Sequence, residues 1–524
     1  MYTVVQAILH QVEKITHPIL IVLPYQQPVH RDPLPLVVHP VVQVRPPADR
    51  ANRTVDAPRA EINLNNTLGS LMQHMTRTIF SFFFIASINS QSASEAIHLL
   101  EDEMGFGARS LSLGGAYTAL GNDPSGMYWN PAGLTGMQHG VIYVESSGLN
   151  YNNNTTYINQ TKSNPITKVG LFNGMGIAYP IPTVRGSMVV AMGYNRILHY
   201  DAFMSFSGFS VRDNSLEIPV NDKNYLFSKN VQRSEHLISN GGVEQLTFSF
   251  GIALSPNTSG GLSISRITGK EDYEFKFTQE DLQNTYTEFP SDFNQYNLVQ
   301  SLITKTKGWN IRGGLKAAVN EWVSVGMALS LPYTMKVEEQ HGTNEEVTFD
   351  NGDKSDTTDF AYYDYEVKIP MIIDMGMALT VENLAISSSL RFKNWGSTQY
   401  NLNNLDTNSE EYLLLKEENS NISFGYRPVF QLRAGVEYLW EFSDSFGITL
   451  RGGGGLLPSP EENSKKDQSF YSFGLGAPMW DVMMIDFAYI ITKWEKPSQD
   501  WLTPSGAVEE VKSGRLLLNL SYLF

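Results

Sequence analysis

Four aspartates that recur at every third position are the first candidates for chemistry in this chain. Asp350, Asp353, Asp356 and Asp359 stand in the polar stretch DNGDKSDTTD. Carboxylates are good calcium ligands, but a calcium loop places its ligands over about twelve residues and closes on a glutamate, and that pattern is missing here. A solvated external loop is the better interpretation, so we predict no bound metal.

The other motifs associated with catalysis or phosphate binding are incomplete. The run Gly452–Gly455 has no following Lys-Ser/Thr and is better explained by close backbone packing in a strand, while Gly105 and Gly107 lack the third glycine of a dinucleotide loop. Neither His-Glu-x-x-His nor Gly-x-Ser-x-Gly occurs. The sequence therefore predicts neither an enzyme nor a cofactor, although a Ser/His pair hidden by spacing stays open.

Composition indicates a protein built from many strands. Apolar residues make up 42% of the 524 residues and charged residues only 18%, below the roughly 25% of soluble domains, with 42 Gly, 25 Tyr and 27 Phe. No apolar stretch approaches the ~20 residues of a membrane-spanning helix. The net charge of −16 argues against a nucleic-acid partner, and the absence of cysteine suits an exported chain.

The order of residues near Met75 predicts a secretory signal peptide. Residues 75–93 read MTRTIFSFFFIASINSQSA, in which one arginine is followed by an apolar run and then by small residues. We expect cleavage between Ser90 and Ala96. Residues 1–74 are Pro-rich and are predicted to be a misassigned start or a disordered extension.

Residues 141–524 show the two-residue alternation of strands that have one apolar and one small or polar face. Leu246, Phe248, Phe250, Ile252 and Leu254 are one example. Short turns alternate with long polar stretches, a rhythm typical of membrane barrels. We place the turns near 182–186, 255–260, 320–322, 381–383, 441–445 and 478–481, and the long stretches near 200–240, 278–307, 338–365, 397–427, 457–468 and 495–512. The count reaches fourteen antiparallel strands in an all-β transmembrane barrel.

The chain ends on a strand with one apolar face and an aromatic last residue. Leu516, Leu518, Leu520, Tyr522 and Phe524 share that face. A terminal Phe on such a strand resembles the signal read by the bacterial barrel-assembly machinery, which we assign to Tyr522 and Phe524. Closure requires this strand to pair with the strand that begins near Val141, because hydrocarbon offers no partner for backbone groups.

Fourteen strands enclose more space than the roughly eight whose side chains fill a barrel, so something must line or block the lumen. Residues 94–140 have the length and the turn-rich composition of a plug. Within them, Gly107–Ser110, Gly114–Tyr117 and above all Trp129–Leu134 (WNPAGL) resemble the outer-membrane long-chain fatty acid transporters of the FadL/TodX type. The resemblance implies an N-terminal hatch inside the barrel, with Gly114, Gly115, Asn130, Pro131 and Ala132 as hatch or gate residues.

The same resemblance implies passive passage of hydrophobic small molecules, either long-chain fatty acids or aromatic hydrocarbons, through a lumenal site with lateral release at a kinked strand. Expected partners are the ligand, outer-membrane lipid and lipopolysaccharide. Phe203, Phe206 and Phe209 are candidates for an apolar ligand entrance, and ordinary loop packing is the alternative. A barrel component or shuttle of a protein-secretion system of type IX remains the alternative function, because such barrels share the fold and the hatch motifs.

Overall fold

The computed structural model of this chain describes residues 91–101, 103–220, 223–443, 446–462, 464, 467–480 and 482–524. The predicted extension and nearly all of the predicted signal peptide lie outside these residues. The mixture of elements is dominated by strands. They are β1 Val141–Tyr157, β2 Gln160–Ile181, β3 Met188–His199, β4 Ala202–Ser210, β5 Glu217–Val220, β6 Lys223–Leu226, β7 Val231–Ser255, β8 Thr258–Glu280, β9 Phe293–Ala318, β10 Val323–Ser330, β11 Tyr333–Phe349, β12 Lys354–Ile369, β13 Ile372–Val381, β14 Leu384–Asn394, β15 Gln399–Tyr400, β16 Pro428–Ser443, β17 Phe446–Leu457, β18 Gln468–Met479, β19 Met483–Ser498 and β20 Ala507–Leu523.

The described residues also form short helices before the first strand and one longer helix near the long loops. The α-helices are α1 Ala93–His98, α2 Ala108–Ser112, α3 Gly126–Trp129 and α4 Glu410–Gly425, and 3-10 helices span Pro131–Gly136 and Trp395–Ser397. Helix α1 begins with a capping box, in which the Ser92 and Glu95 side chains bond reciprocally to backbone amides. No helix in the described part of the chain is both long and apolar enough to cross a membrane.

The sheet closes on itself as an antiparallel barrel of fourteen strands, which confirms the predicted fold class. Closure comes from β20, which pairs with β1 along its whole length, from Val141↔Leu523 to Tyr157↔Ala507. Four positions around the barrel are shared by strand pieces in line: β4 continues β3 along β7, β11 continues β10 along β9, β12 precedes β13, and β15 continues β14. Closure gives each strand position a paired neighbour on both sides over at least part of its length, as a lipid-facing sheet requires.

Alternating side chains give the barrel an apolar outer band. On β20, Leu516, Leu518 and Leu520 are exposed while Leu517 and Arg515 are buried toward the interior. The same rhythm exposes Phe248 and Phe250 on β7. On β3 the outward apolar residues end at Tyr194, and Arg196 follows on the same face. A continuous apolar girdle on a closed sheet is the surface of a transmembrane barrel.

The long polar stretches differ from expectation, because most of them are strand and helix, not loop. Residues 338–365 belong almost entirely to the β11–β12 hairpin, β9 begins at Phe293, and α4 occupies the middle of 397–427. Beyond the apolar band both faces of a strand meet water, so the hydrophobic alternation disappears while the backbone ladder continues. The hydrophobic alternation in the sequence therefore indicates where the apolar band ends, but it does not indicate where the strands end.

The segment from Gln91 to Gly140 contacts strands all around the ring. Ala108 binds Glu145 of β1, Ser112 binds Ser472 of β18, and Thr118 binds Ser389 of β14. Further along, Asn130 binds β9, and Pro131 lies against Gly261 of β8. A segment that contacts opposite sides of a closed ring lies within it.

Candidate functional site

Asn130 fixes the internal segment to the barrel wall. Its side chain is fully buried, and its amide donates to the Thr118 carbonyl at 2.7 Å and to the Leu315 carbonyl at 3.0 Å. Its side-chain oxygen accepts from the Ala132 amide at 3.1 Å, which caps the 3-10 helix at Pro131. One asparagine thus joins two turns of the segment to β9, and Pro131 and Ala132 lie at the same contact.

Two glycines allow the backbone of the segment to touch the backbone of the wall. Gly114 has φ +67°, and a Cβ there would lie 2.5 Å from the Gly454 amide nitrogen. On β17, a Cβ at Gly453 would lie 2.3 Å from the Leu113 carbonyl carbon. Neither position has room for a methyl group. Close packing therefore explains Gly453, Gly454 and Gly455 of the glycine run, as the sequence indicated, whereas Gly452 has room for a methyl group.

We predict that Gly453→Ala pushes the segment away from β17. Overpacking of this kind costs about 1–3 kcal/mol, and the displaced segment should raise the ion conductance of the barrel several-fold. Chemical unfolding and planar-bilayer recording measure the two effects. Gly452→Ala is the matched control, since the nearest atom to a Cβ there is 3.9 Å away. Equal behaviour of the two variants would contradict the role given to this contact.

A network of buried charged side chains on the barrel wall contacts the internal segment. Asp374 of β13 accepts from Arg391 at 2.8 Å and from Arg312, and all three side chains are at most 8% exposed. Arg312 also donates to the Trp129 carbonyl at 3.0 Å, and Arg391 to the Tyr128 hydroxyl at 3.0 Å. The carboxylate holds both guanidinium groups where they can bind the segment.

Backbone pairing in the barrel wall is interrupted between β2 and its neighbours β3 and β4, which lie end to end. Backbone pairing of β2 with β3 ends at Gly174↔Asn195, although β2 continues to Gln160 along β1. Further along β2, the Asn164 side chain donates to the Ser205 carbonyl at 3.0 Å and accepts from the Ser205 hydroxyl at 2.9 Å. We call the stretch between these two contacts the β2–β4 window. It begins beside Arg196, and the exposed side chains of Phe172 and Val169 on β2 extend the apolar outer surface along it.

A cavity of about 250 Å³ lies behind the window. Tyr200, Asp201 and Ala202, at the break between β3 and β4, form part of its lining. Its apolar wall includes Leu149, Tyr151, Ile490, Trp494 and Val511. Tyr151 and Trp494 meet edge-on with ring centroids 6.4 Å apart. Polar and charged side chains form the rest of the lining, among them His199, Lys496 and Arg515. A cavity that combines aromatic walls with polar groups is a usual form of small-molecule site.

Lys168 crosses the window. Its ammonium lies 2.5 Å from the Asp201 carboxylate and 2.8 Å from the Asn240 side-chain oxygen, so it links β2 to the break and to β7. Burial raises the pKa of the Asp201 carboxyl, but its contacts with His199 and Lys168 outweigh burial and hold the pKa below its usual value. The carboxylate therefore stays charged at ordinary pH and keeps the Lys168 contact.

We expect Lys168→Ala to loosen the window. Loss of this partly exposed ion pair should speed exit of a ligand by roughly three- to tenfold, which corresponds to about 0.7–1.4 kcal/mol. Stopped-flow release of a fluorescent hydrocarbon from the barrel in nanodiscs measures the rate. Lys270→Ala, which removes a pair with Asp272 whose side chains are both about half exposed, is the control. An unchanged or slower release would show that Lys168 does not hold the window.

The three phenylalanines proposed as an entrance do not form one group. Phe206 is buried and lies against Tyr157 with ring centroids 4.5 Å apart. Phe203 contacts the His236 ring and packs beside Leu149 and Tyr151, near the cavity. The sequence pattern does not indicate Lys168, Tyr200 and Asp201 as site residues. The signal it does contain is a charged residue that interrupts the alternation of a strand.

At the short-turn end, the last residue closes the ring. The Phe524 amide and carbonyl both bond to Gly140 at 2.9 Å, and its ring stacks with Tyr179 and Tyr522 at centroid distances of 6.0 and 6.3 Å. Recognition of Tyr522 and Phe524 by an assembly machinery stays a prediction.

Comparison with solved structures shows which known proteins share this architecture. The Pseudomonas putida toluene transporter TodX is 12% identical and superposes with a TM-score of 0.50 over 81% of this chain and 99% of that chain. A deltaS2 mutant of the TodX monoaromatic hydrocarbon channel is 11% identical and gives a TM-score of 0.51 over 81% and 100%. The chain has the fold of the FadL- and TodX-type barrels. A Pseudomonas aeruginosa FadL homologue, 12% identical, gives 0.49 over 77% and 95%.

No protein-family model matches the sequence, and neither does any curated protein. The similarity to the FadL-type fold therefore rests on the superposition of the backbones and not on sequence. At this level of identity it establishes architecture alone, so the function has to be argued from the cavity and the window.

Proposed function

We propose that this chain is an outer-membrane channel that gives hydrophobic small molecules passive passage, with lateral release through the β2–β4 window. The carrying observation is a cavity with aromatic walls whose lining includes Tyr200, Asp201 and Ala202, at the edge of a stretch of wall that lacks backbone pairing. The neighbours described as toluene and monoaromatic hydrocarbon channels support the same class of ligand. An outer-membrane location follows from the closed barrel with its apolar girdle.

The size of the cavity favours single-ring aromatic compounds. A dry cavity of about 150 Å³ is enough for benzene. The present cavity of about 250 Å³ accommodates a toluene-sized molecule, whereas a long-chain fatty acid would have to extend through the window. The aromatic side chains of Tyr151 and Trp494 can make both edge and face contacts with the ring of a toluene-sized ligand.

In this proposal the internal segment acts as the hatch. It is bound to the wall by Asn130, by the glycine contacts and by the Arg312–Asp374–Arg391 network, and these contacts support a segment that blocks the straight path toward the periplasm. The window then offers the ligand an exit into lipid that avoids a polar, water-filled lumen. Hydrophobic transfer alone favours this step, and no energy source is needed.

Uptake by cells tests the proposal. A strain without the gene is compared with the complemented strain for entry of labelled toluene and labelled oleate. We expect complementation to restore toluene uptake more strongly than oleate uptake. Equal uptake of both compounds with and without the gene would contradict a channel role, and a simultaneous loss of secreted cargo proteins would favour the secretion alternative.

A further inference from the structure

The β11–β12 hairpin pairs with β9 up to its tip at Phe349 and leaves β12 as the edge of this taller part of the wall. Strand β12 pairs with β11 from Lys354 to Ile369, but on its other side only Val367 and Lys368 have a strand partner, in β15. No described residue pairs with the outer edge of β12 from 355 to 365. The outer edge of β12 is therefore unpaired from 355 to 365, whereas β13, which follows in line, pairs with strands on both sides.

The direction of the free backbone groups follows from two hydrogen bonds. The Glu366 carbonyl accepts from the Asn401 amide at 2.8 Å, so Glu366 turns its backbone away from β11. The register of the hairpin is continuous, and alternate residues share this direction. Hence Asp356, Thr358, Phe360, Tyr362 and Asp364 present their backbones to the open edge. The Phe360 amide donates to the Asp359 side chain at 2.8 Å, as an amide without a strand partner would.

Side chains beside this edge combine apolar surface with negative charge. Phe360 is 69% exposed and Tyr362 is 73% exposed on the outer face, and both faces of the strand are open to solvent. Between Tyr333 and Ile369 the hairpin carries ten Asp and Glu residues against three Lys. Natural edge strands use charge to prevent self-pairing. Two copies meeting at this edge would bring Asp356, Asp359 and Asp364 together.

We propose that the β12 edge is a docking site for an extended, lysine- or arginine-bearing segment of a partner protein, which adds to the sheet as a further strand. Backbone bonds to the outward-facing residues would provide the common part of the affinity, as in other cases of strand addition. The exposed Phe360 and Tyr362 would cover the apolar positions of the segment. The acidic residues select a cationic partner and exclude a second copy of this chain.

The test uses the full-length barrel in lipid nanodiscs and a fluorescent, end-capped peptide in which lysine alternates with valine, long enough to cover Asp356 to Asp364. Thr358→Pro removes one outward amide and leaves the β11 ladder intact. Thr358→Ala is the matched control, because it keeps that amide. We expect anisotropy titrations to show binding that weakens by roughly tenfold or more in Thr358→Pro and is unchanged in Thr358→Ala.

Two further peptides keep the test decisive for the unaltered protein. N-methylation at alternate residues removes the edge-facing amides of the peptide, and replacement of lysine by glutamate reverses its charge. Both should bind at least tenfold more weakly than the parent peptide. Equal binding of all three peptides, or of the proline and alanine variants, would overturn the proposal. So would absence of peptide binding together with a dimer of the barrel that Thr358→Pro dissociates, since the occupant would then be a second copy.

Discussion

Ala202→Trp should reduce passage of toluene through the barrel by more than tenfold. Ala202 stands at the break between β3 and β4 and lines the cavity behind the window. An indole ring in place of a methyl group would fill much of the cavity of about 250 Å³ and would lie across the exit. The measurement is uptake of labelled toluene by cells that produce equal amounts of folded barrel.

Ala477→Trp is the control for this experiment. Ala477 lies on the partly exposed outer face of β18, near the short-turn end, where a tryptophan extends into the surroundings without entering the lumen. We expect uptake within about twofold of the unaltered protein. If Ala202→Trp behaves like the control, the ligand does not pass through the cavity, and the β2–β4 window is not the route.

The barrel was predictable because its signal is local. Each strand repeats an apolar residue at every second position, and this alternation follows from lipid on one side of the wall and a polar interior on the other. The predicted start at Val141 and the pairing of the last strand with it both follow from that pattern and from the need for closure. Where both faces meet water the pattern vanishes, which is why the sequence predicts a loop where the β11–β12 hairpin lies.

The window was not predictable for a different reason. Prolines mark two of the breaks in the wall, at Pro332 and Pro370, because a proline cannot donate to the ladder. The break at Tyr200 and Asp201 contains none. It depends on where β2 stops pairing with β3, and on Lys168, which lies more than thirty residues away and reaches the break only in the folded barrel.

The buried charges show the same limit. Alternation places Arg312, Asp374 and Arg391 on inward faces, but it does not indicate which charges meet. Arg312 is 62 residues from Asp374 in sequence and joins it through the barrel interior. The sequence thus indicates that polar side chains line the lumen, and only the register of β9, β10, β13 and β14 brings the opposite charges together.

Asp374→Ala should destabilise the barrel by about 3–5 kcal/mol, because it leaves two buried guanidinium groups without their carboxylate. Guanidinium-induced unfolding in detergent micelles measures the change. Asp272→Ala, which breaks the half-exposed pair with Lys270, should cost less than about 1 kcal/mol. Adding Arg391→Met to Asp374→Ala removes one of the two unpaired buried charges and should recover part of the lost unfolding free energy.

The same variant tests whether the network also holds the internal segment. Arg312 and Arg391 bind the segment through the Trp129 carbonyl and the Tyr128 hydroxyl, and both are positioned by Asp374. We therefore expect Asp374→Ala to raise ion conductance at temperatures where the barrel is still folded. A destabilised barrel with unchanged conductance would separate the two roles, because the network would then support the wall while Asn130 and the glycine contacts retain the segment.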